Sequence, residues 1–266
     1  MSNAATTRAV RLALAVSALR AARAIEAAVN IAAALRTELS ATYVQDEDLL
    51  RAAALPCTFQ IGSLASGVRP FDLAETERAL KREASEVEHA VSAAARKLGL
   101  GWTFEVLRGR TIDWPFDRAG AGDITVIGNA GLALQMPIVE PAYRLAPTAS
   151  HAPILAIIDA TPGALERLAH LLRNLGGTGP LTVWTPELGA ADAPSIRRAI
   201  EAIGDDSRRR ISHLANTEAF SAAAVARVMR KLRPGVVIIA RSLAEHIRAE
   251  LPIVMRLVAG TIIFTP

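Results

Sequence analysis

The chain has one cysteine, Cys57, and only 4% aromatic residues. Its lysines are Lys81, Lys97 and Lys231, so arginine supplies nearly all of the positive charge. A single cysteine excludes an internal disulfide and any multi-cysteine zinc or iron–sulfur centre. Few aromatics mean that alanine, leucine, valine and isoleucine must build the core. Long uncharged apolar runs are also missing. The most apolar N-terminal stretch, Val10–Leu35, is broken by Arg11, Arg20, Arg23, Glu26 and Asn30, whereas a spanning helix needs ~20 nearly uncharged residues. No membrane span is expected. As a secretion signal, the apolar stretch Leu12–Leu19 is short and runs into Arg20 and Arg23 rather than a small-residue cleavage site. The expected location is therefore cytoplasmic. Glycine and proline, 17 and 14 residues, are ordinary and exclude collagen-like and low-complexity classes.

What is present is ample apolar material: 51% of 266 residues, with 21% charged and a net charge of +4. That is a globular chain, and its length suggests two domains. The arginines are spread along the chain beside Asp and Glu rather than gathered into one stripe, so a nucleic-acid partner is not expected. The locally basic second half, with Arg197, Arg198, Arg208–Arg210, Arg227, Arg230, Lys231 and Arg233, lacks interleaved aromatics for base stacking and reads as a solvated rim.

Hydrophobic spacing sets the order of elements. Val10–Val16 is a strand, and Ala18–Arg36 a helix with Leu19, Ala22, Ile25, Val29 and Ala33 on one stripe. Leu39–Val44 is a strand, Asp46 caps a short helix to Ala54, and Pro56–Pro70 reads as a loop. Asp72 with Glu75 forms a capping-box pattern opening a helix that runs to Leu98 and closes at Gly99. Trp102–Leu107 and Ile124–Ile127 are strands flanking the turn-rich segment Asp113–Gly122, whose aromatic start, Asp113–Asp117, is read as a plug or a lid. After a linker at Pro147–Pro153 the pattern repeats. Strands Ile154–Ile158, Leu181–Trp184, Ile211–Leu214, Val236–Ala240 and Thr261–Phe264 alternate with helices Pro162–Leu175, Pro194–Ile203, Phe220–Leu232 and Leu243–Leu257.

Alternation of this kind, with near-continuous apolar strands, specifies α/β architecture with parallel sheets covered on both faces. The expected fold is two doubly wound parallel-sheet, Rossmann-like domains in tandem, residues 1–147 and 148–266, the second a degenerate copy of the first. The first half has no obvious fifth strand. Either it is lost, or Ile154–Ile158 is shared between the halves. Ligands in such sheets sit at the carboxyl ends of strands. The positions to inspect are Ser17, Val44, Gly109 and Gly128, then Asp159, Trp184, Asn216 and Ala240.

Several strings carry a family resemblance: LALAVSALRAARAIEAAVNIAAALRTELSATYVQDEDLLRAAALP (Leu12–Pro56), WTFEVLRGR (Trp102–Arg110) and DITVIGNAG (Asp123–Gly131), with ILAIIDAT (Ile154–Thr161) and LTVWTPE (Leu181–Glu187) as a worn second copy. The chain resembles the universal stress protein family. That resemblance implies a five-stranded parallel sheet in each unit and, in some members, ATP. The ATP site has an Asp after strand one, a Val at the end of strand two and a glycine loop after strand four. Here Val44, Gly128 and Gly131 fit the pattern. Ser17 stands in place of the Asp, and Pro141-Ala142 in place of the loop's final Gly-Ser. Proline has no N–H to offer a phosphate. The second half keeps Asp159 and Thr161, but Ala240-Arg241-Ser242-Leu243 replaces its glycines.

The candidate cofactor-contacting residues are thus Ser17, Val44, Gly128, Gly131 and Asp159, with no full set in either half. No cofactor is expected, ATP being the one nucleotide the pattern leaves open. No catalytic or metal-ligating set is expected either. None of the five histidines forms a metal pair, and no basic residue near Cys57 in sequence activates it. His213 is read as core or rim. The functional reading is a non-enzymatic stress-response binding or regulatory protein. Its partner is another protein, and its halves form an intramolecular pseudo-dimer, with homo-oligomer formation open. The alternatives are a nucleotide-binding or weakly ATP-hydrolysing protein using Gly128 and Gly131, and a structural assembly subunit.

Overall fold

The computed structural model describes residues 9–15, 18–61, 68–110, 117, 118, 120, 122–128, 152–175, 178–186, 193–207, 209–214, 220–255, 257, 258 and 260–266. The first half contains β1 (Val10–Leu14), α1 (Ala18–Leu35), β2 (Leu39–Asp46), α2 (Glu47–Ala54), β3 (Phe59–Ile61), β4 (Val68–Pro70), α3 (Leu73–Lys97), β5 (Trp102–Gly109) and β6 (Ile124–Gly128). The second contains β7 (Ile154–Ile157), α4 (Pro162–Asn174), β8 (Leu181–Trp184), α5 (Ala193–Ser207), β9 (Ile211–Leu214), α6 (Ala222–Leu232), β10 (Val236–Ala240), α7 (Arg241–His246), α8 (Leu251–Met255) and β11 (Thr261–Thr265).

Nine of these strands build one sheet in the order β5-β2-β1-β6-β11-β10-β7-β8-β9, and β3 and β4 form a separate pair. Within the large sheet every pairing inside a half is parallel, and the half-one order β5-β2-β1-β6 is repeated by β9-β8-β7-β10. This is the doubly wound α/β arrangement the sequence implies. β11 continues the second half as the parallel neighbour of β10, and its other edge pairs antiparallel with β6, Phe264 opposite Thr125 and Thr261 opposite Gly128. The sheet is therefore continuous across the two halves. β7 lies between β8 and β10 and is not shared with half one. The boundary expected between residues 147 and 148 lies outside the described residues.

Side-chain alternation divides the core into two layers. Val10, Leu12, Leu14, Leu39, Ala41 and Tyr43 point to the face carrying α1 and α3, and Ile154, Ala156, Leu181 and Val183 to the same layer with α4 and α5. The opposite layer holds Ala13, Val44, Ile127, Leu155, Ile239 and Phe264 with α6, α7 and α8. Strand residues are buried at nearly every position in the interior strands of the sheet, as expected where helices cover both faces, whereas the edge strands β5 and β9 are only half-buried or exposed. Asp46 and Asp72 cap α2 and α3, the Asp72 carboxylate accepting from Glu75 N at 2.8 Å. Tyr43 is fully buried and donates to Glu83 Oε2 at 2.8 Å, tying β2 to α3; burial first, and this partner second, push its phenol pKa well up.

Three local expectations are corrected. The segment read as the loop Pro56–Pro70 contains the antiparallel β3–β4 hairpin, whose strands are too short for alternation to register. The helix expected over Leu243–Leu257 is two short helices, because Pro252 cannot donate to, and clashes with, the carbonyl four residues back. The helix expected to stop near Gly204 continues through it to Ser207. A Cβ there would sit 3.1 Å from the Ile211 side chain, so this glycine permits close packing on β9 rather than ending a helix.

Candidate functional site

The antiparallel β6–β11 seam has a geometric consequence for the candidate residues. Strands of half one run opposite to strands of half two, so the carboxyl ends of the two sets open on opposite edges of the sheet. Val44 and Gly128 lie on one edge, and Asp159 on the other. Ser17 and Gly131 lie outside the described residues, as does Asn216. Val44 and Gly128 therefore do not converge with Asp159 on one pocket.

In half one, Val44 is buried in the layer with Ala13 and Ile127, so its side chain belongs to the core. Gly128 ends β6 beside Leu14 of β1. A Cβ on Gly128 would run into Leu14 Cδ2 and stand 3.1 Å from Ala24 Cβ. Its missing side chain lets α1 settle on the sheet, and a bulkier residue there disturbs that packing whether or not a phosphate ever approaches. Beyond the ends of β2 and β5, a cavity of about 300 Å3 is lined by Glu47, Leu50, Arg51, Ala54, Leu73, Glu77 and Arg108. Its charges are already matched within the chain: Arg51 with Glu47, and Arg108 with Glu77 at 2.9 Å.

In half two the chain leaves β7 through Ile158 to Asp159, and Thr161 then caps α4, its hydroxyl accepting from Ala164 N at 3.3 Å. Across from it β10 passes into α7 with no intervening loop, Ala240 being the cap and Arg241 the first helical residue. The Ser242 hydroxyl donates to Asp159 Oδ2 at 2.7 Å. Where the family pattern places glycines, this chain thus has a serine bonded to the strand-one aspartate.

Arg241 turns the other way and donates from Nη1 to Gly120 O at 2.8 Å, and Arg248 pairs with Asp117 at 2.8 Å. Both contacts cross from half two to half one. The segment they hold leads into β6 and is anchored by Asp123, whose carboxylate is nearly fully buried, accepts from Gly120 N at 2.8 Å and is ion-paired to Arg11. Of the expected plug or lid Asp113–Asp117, residues 113–116 lie outside the described residues, while Asp117 is one end of this clasp. Arg241 and Arg248 were missed because nothing in a linear pattern places the end of β10 against residues more than 120 positions earlier.

A second cavity, about 260 Å3, lies against β9 and is lined by Arg197, Ile200, Glu201, Ile211 and His213. His213 Nε2 sits 3.0 Å from the hydroxyl of Thr185, which is fully buried. Burial, then the charge of Arg197, lowers the His213 pKa from its ordinary value of 6.5. The folded chain therefore binds this proton less readily than the unfolded chain, so stability falls as pH drops below about 6.5. His213→Gln should flatten part of the decline in melting temperature between neutral and mildly acid pH; superimposable profiles for the two proteins would exclude a role for His213. His89 and His246 bond their own helices at Ser85 O and Ser242 O, each 2.7 Å. Among the described residues no group of three His, Cys, Asp or Glu side chains could hold a metal ion. No described helix is long and apolar enough to cross a membrane.

No family model and no curated protein matches the chain. Solved structures do. Over 98% of its length, and 97% of the other chain, it is similar to a universal stress protein from Archaeoglobus fulgidus DSM 4304, with 12% identity and a TM-score of 0.48. A functionally unknown protein from Pseudomonas aeruginosa PAO1 is 11% identical with a TM-score of 0.40, covering 99% of this chain and 94% of that one. A protein from the universal stress protein family of Burkholderia pseudomallei covers 80% of this chain and 98% of its own length, at 14% identity and a TM-score of 0.27.

Proposed function

We propose that this chain is a cytoplasmic binding or regulatory protein of the universal stress type. It has no catalytic step and no resident nucleotide, and its two halves act as an intramolecular pseudo-dimer toward a protein partner. The observation that carries the reading is the Ser242–Asp159 hydrogen bond at the end of β10. A nucleotide in half two would have to displace that bond and approach a strand that enters a helix directly, without a glycine loop whose N–H groups could wrap a phosphate. In half one the loop pattern ends in Pro141-Ala142, and Gly128 serves the packing of α1. A chain with neither phosphate cradle complete acts by contact rather than by turnover.

Titration calorimetry with ATP tests this. The expected dissociation constant is millimolar or weaker, a binding free energy no more favourable than about −4 kcal/mol, and the purified protein should carry no adenine absorbance. Micromolar affinity would overturn the reading in favour of a nucleotide-binding protein. Asp159→Asn together with Ser242→Gly then identifies the half involved. Affinity lost in that double variant assigns the site to half two, and affinity retained assigns it to half one.

A further inference from the structure

We propose that β5 is a self-association edge, on which a second copy of this chain pairs its own β5 antiparallel about a two-fold axis at Val106. β5 is the outermost strand of the sheet and pairs only with β2 among the described residues. It spans eight residues, against four in β9 at the other end, and Val106 is 44% exposed. An open strand of that length offers unpaired N–H and C=O groups to another strand.

The hydrogen-bond polarity of the edge follows from one contact. Leu39 N donates to Gly101 O at 3.1 Å, so the Gly101 carbonyl faces β2. In a parallel ladder a residue's N–H and C=O point to the same side and alternate along the strand. Thr103, Glu105 and Leu107 therefore bond β2, and Trp102, Phe104, Val106 and Arg108 turn their backbone groups outward. A two-fold axis then has few registers available. An axis at Glu105 opposes two carboxylates, and one at Arg108 opposes two guanidinium groups, both unfavourable across strands. Axes at Phe104 or Leu107 leave more of the strand beyond its partner.

The axis at Val106 pairs nearly the whole strand. It sets Phe104 opposite Arg108, Trp102 opposite Arg110 and Glu105 opposite Leu107. Each arginine then meets an aromatic ring of the other copy, an arrangement favoured by cation–π attraction. Arg108 and Arg110 keep 61% and 52% of their side chains exposed while pairing with Glu77 and Asp48, so both can be shared across the axis. The edge is thus complementary to itself, as a closed two-fold contact requires.

Sedimentation velocity on the full chain across the micromolar range tests this. A concentration-dependent dimer is expected, and Val106→Lys, which opposes two ammonium groups at the axis, should weaken it by roughly tenfold or more while leaving the melting temperature in dilute solution unchanged. Register is read by cross-linking in a Cys57→Ser background. Hydrogen-bonded antiparallel partners have Cα atoms ~5.5 Å apart, within disulfide range. Val106→Cys should therefore give a disulfide-linked dimer on mild oxidation, and Glu105→Cys should not. A wild-type chain that stays monomeric, a dimer indifferent to Val106→Lys, or equal cross-linking at both positions would overturn the proposal.

Discussion

Removal of Thr261–Pro266 should abolish soluble expression of this chain. The segment is a C-terminal tail only in sequence; in the sheet it supplies β11, the strand between β6 and β10. All five strand residues are buried, with Ile262, Ile263 and Phe264 at 2%, 0% and 2% exposure. Each large apolar side chain is worth ~1.5–3 kcal/mol when buried, and together they amount to a large part of a domain's ~5–15 kcal/mol stability. Truncation also opens two ladders at once. β6 and β10 would face each other across an empty strand position with unpaired N–H and C=O groups, a template for aggregation. Phe264→Ala is the graded version, expected to cost ~3–5 kcal/mol from lost burial and the cavity left behind. The check is the soluble fraction and the melting temperature of each variant beside the full chain. A truncated protein that is soluble, monomeric and unchanged in melting temperature would falsify the role assigned to β11.

That strand also shows what could and could not be read from sequence. β1, β6, β7, β10 and β11 were legible because buried parallel strands are short apolar runs bounded by turn residues, and burial is a property of each residue taken alone. Neighbour relations are different. The β6–β11 pairing joins residues more than 130 positions apart. Apolar alternation assigns a residue to a face of the sheet but carries no label for which strand lies alongside. An apolar C-terminal strand was recognisable, whereas its antiparallel seam with β6, and the opposite directions in which the two halves open, required the sheet itself.

The candidate site was less legible for a related reason. A glycine after a strand marks a place where something comes close, without saying what. At Gly128 the visitor is helix α1, through Ala24, together with the neighbouring Leu14 side chain. Asp159 is visible in the sequence as the polar residue after β7, yet its partner Ser242 lies 83 residues away. Arg241 stood in plain view as an arginine where a glycine was wanted. Its contact with Gly120 O depends on how the halves join, and so on the same seam that local pattern does not encode.

Gly260→Ala should be among the most damaging single-methyl additions to this protein. Gly260 precedes β11, and a Cβ placed on it would overlap Gly235 O and stand 2.7 Å from the carbonyl carbon of Gly235. Those atoms are backbone, so no side-chain rotation relieves the overlap. Gly235 cannot retreat freely: its N–H donates to Pro153 O at 2.9 Å, and its carbonyl accepts from Thr261 N at 3.1 Å. The position its own Cβ would take is 2.7 Å from Ala152 Cβ. The amino ends of β7, β10 and β11 are thus stacked through two glycines. Separating them shifts the start of β11, which carries the seam between the halves. Overpacking of ~1–3 kcal/mol with loss of the Thr261–Gly235 hydrogen bond, ~1 kcal/mol, gives an expected fall in melting temperature on the order of 10 °C for a chain of this size. Gly101→Ala is the control, because an added Cβ there meets only Glu38 Cγ at 3.8 Å. Its melting temperature should match the parent within a degree or two. Thermal unfolding of the two variants side by side decides the matter: equal stability would mean that β10 and β11 separate at little cost, and that the tight glycine stack is not what holds the seam in place.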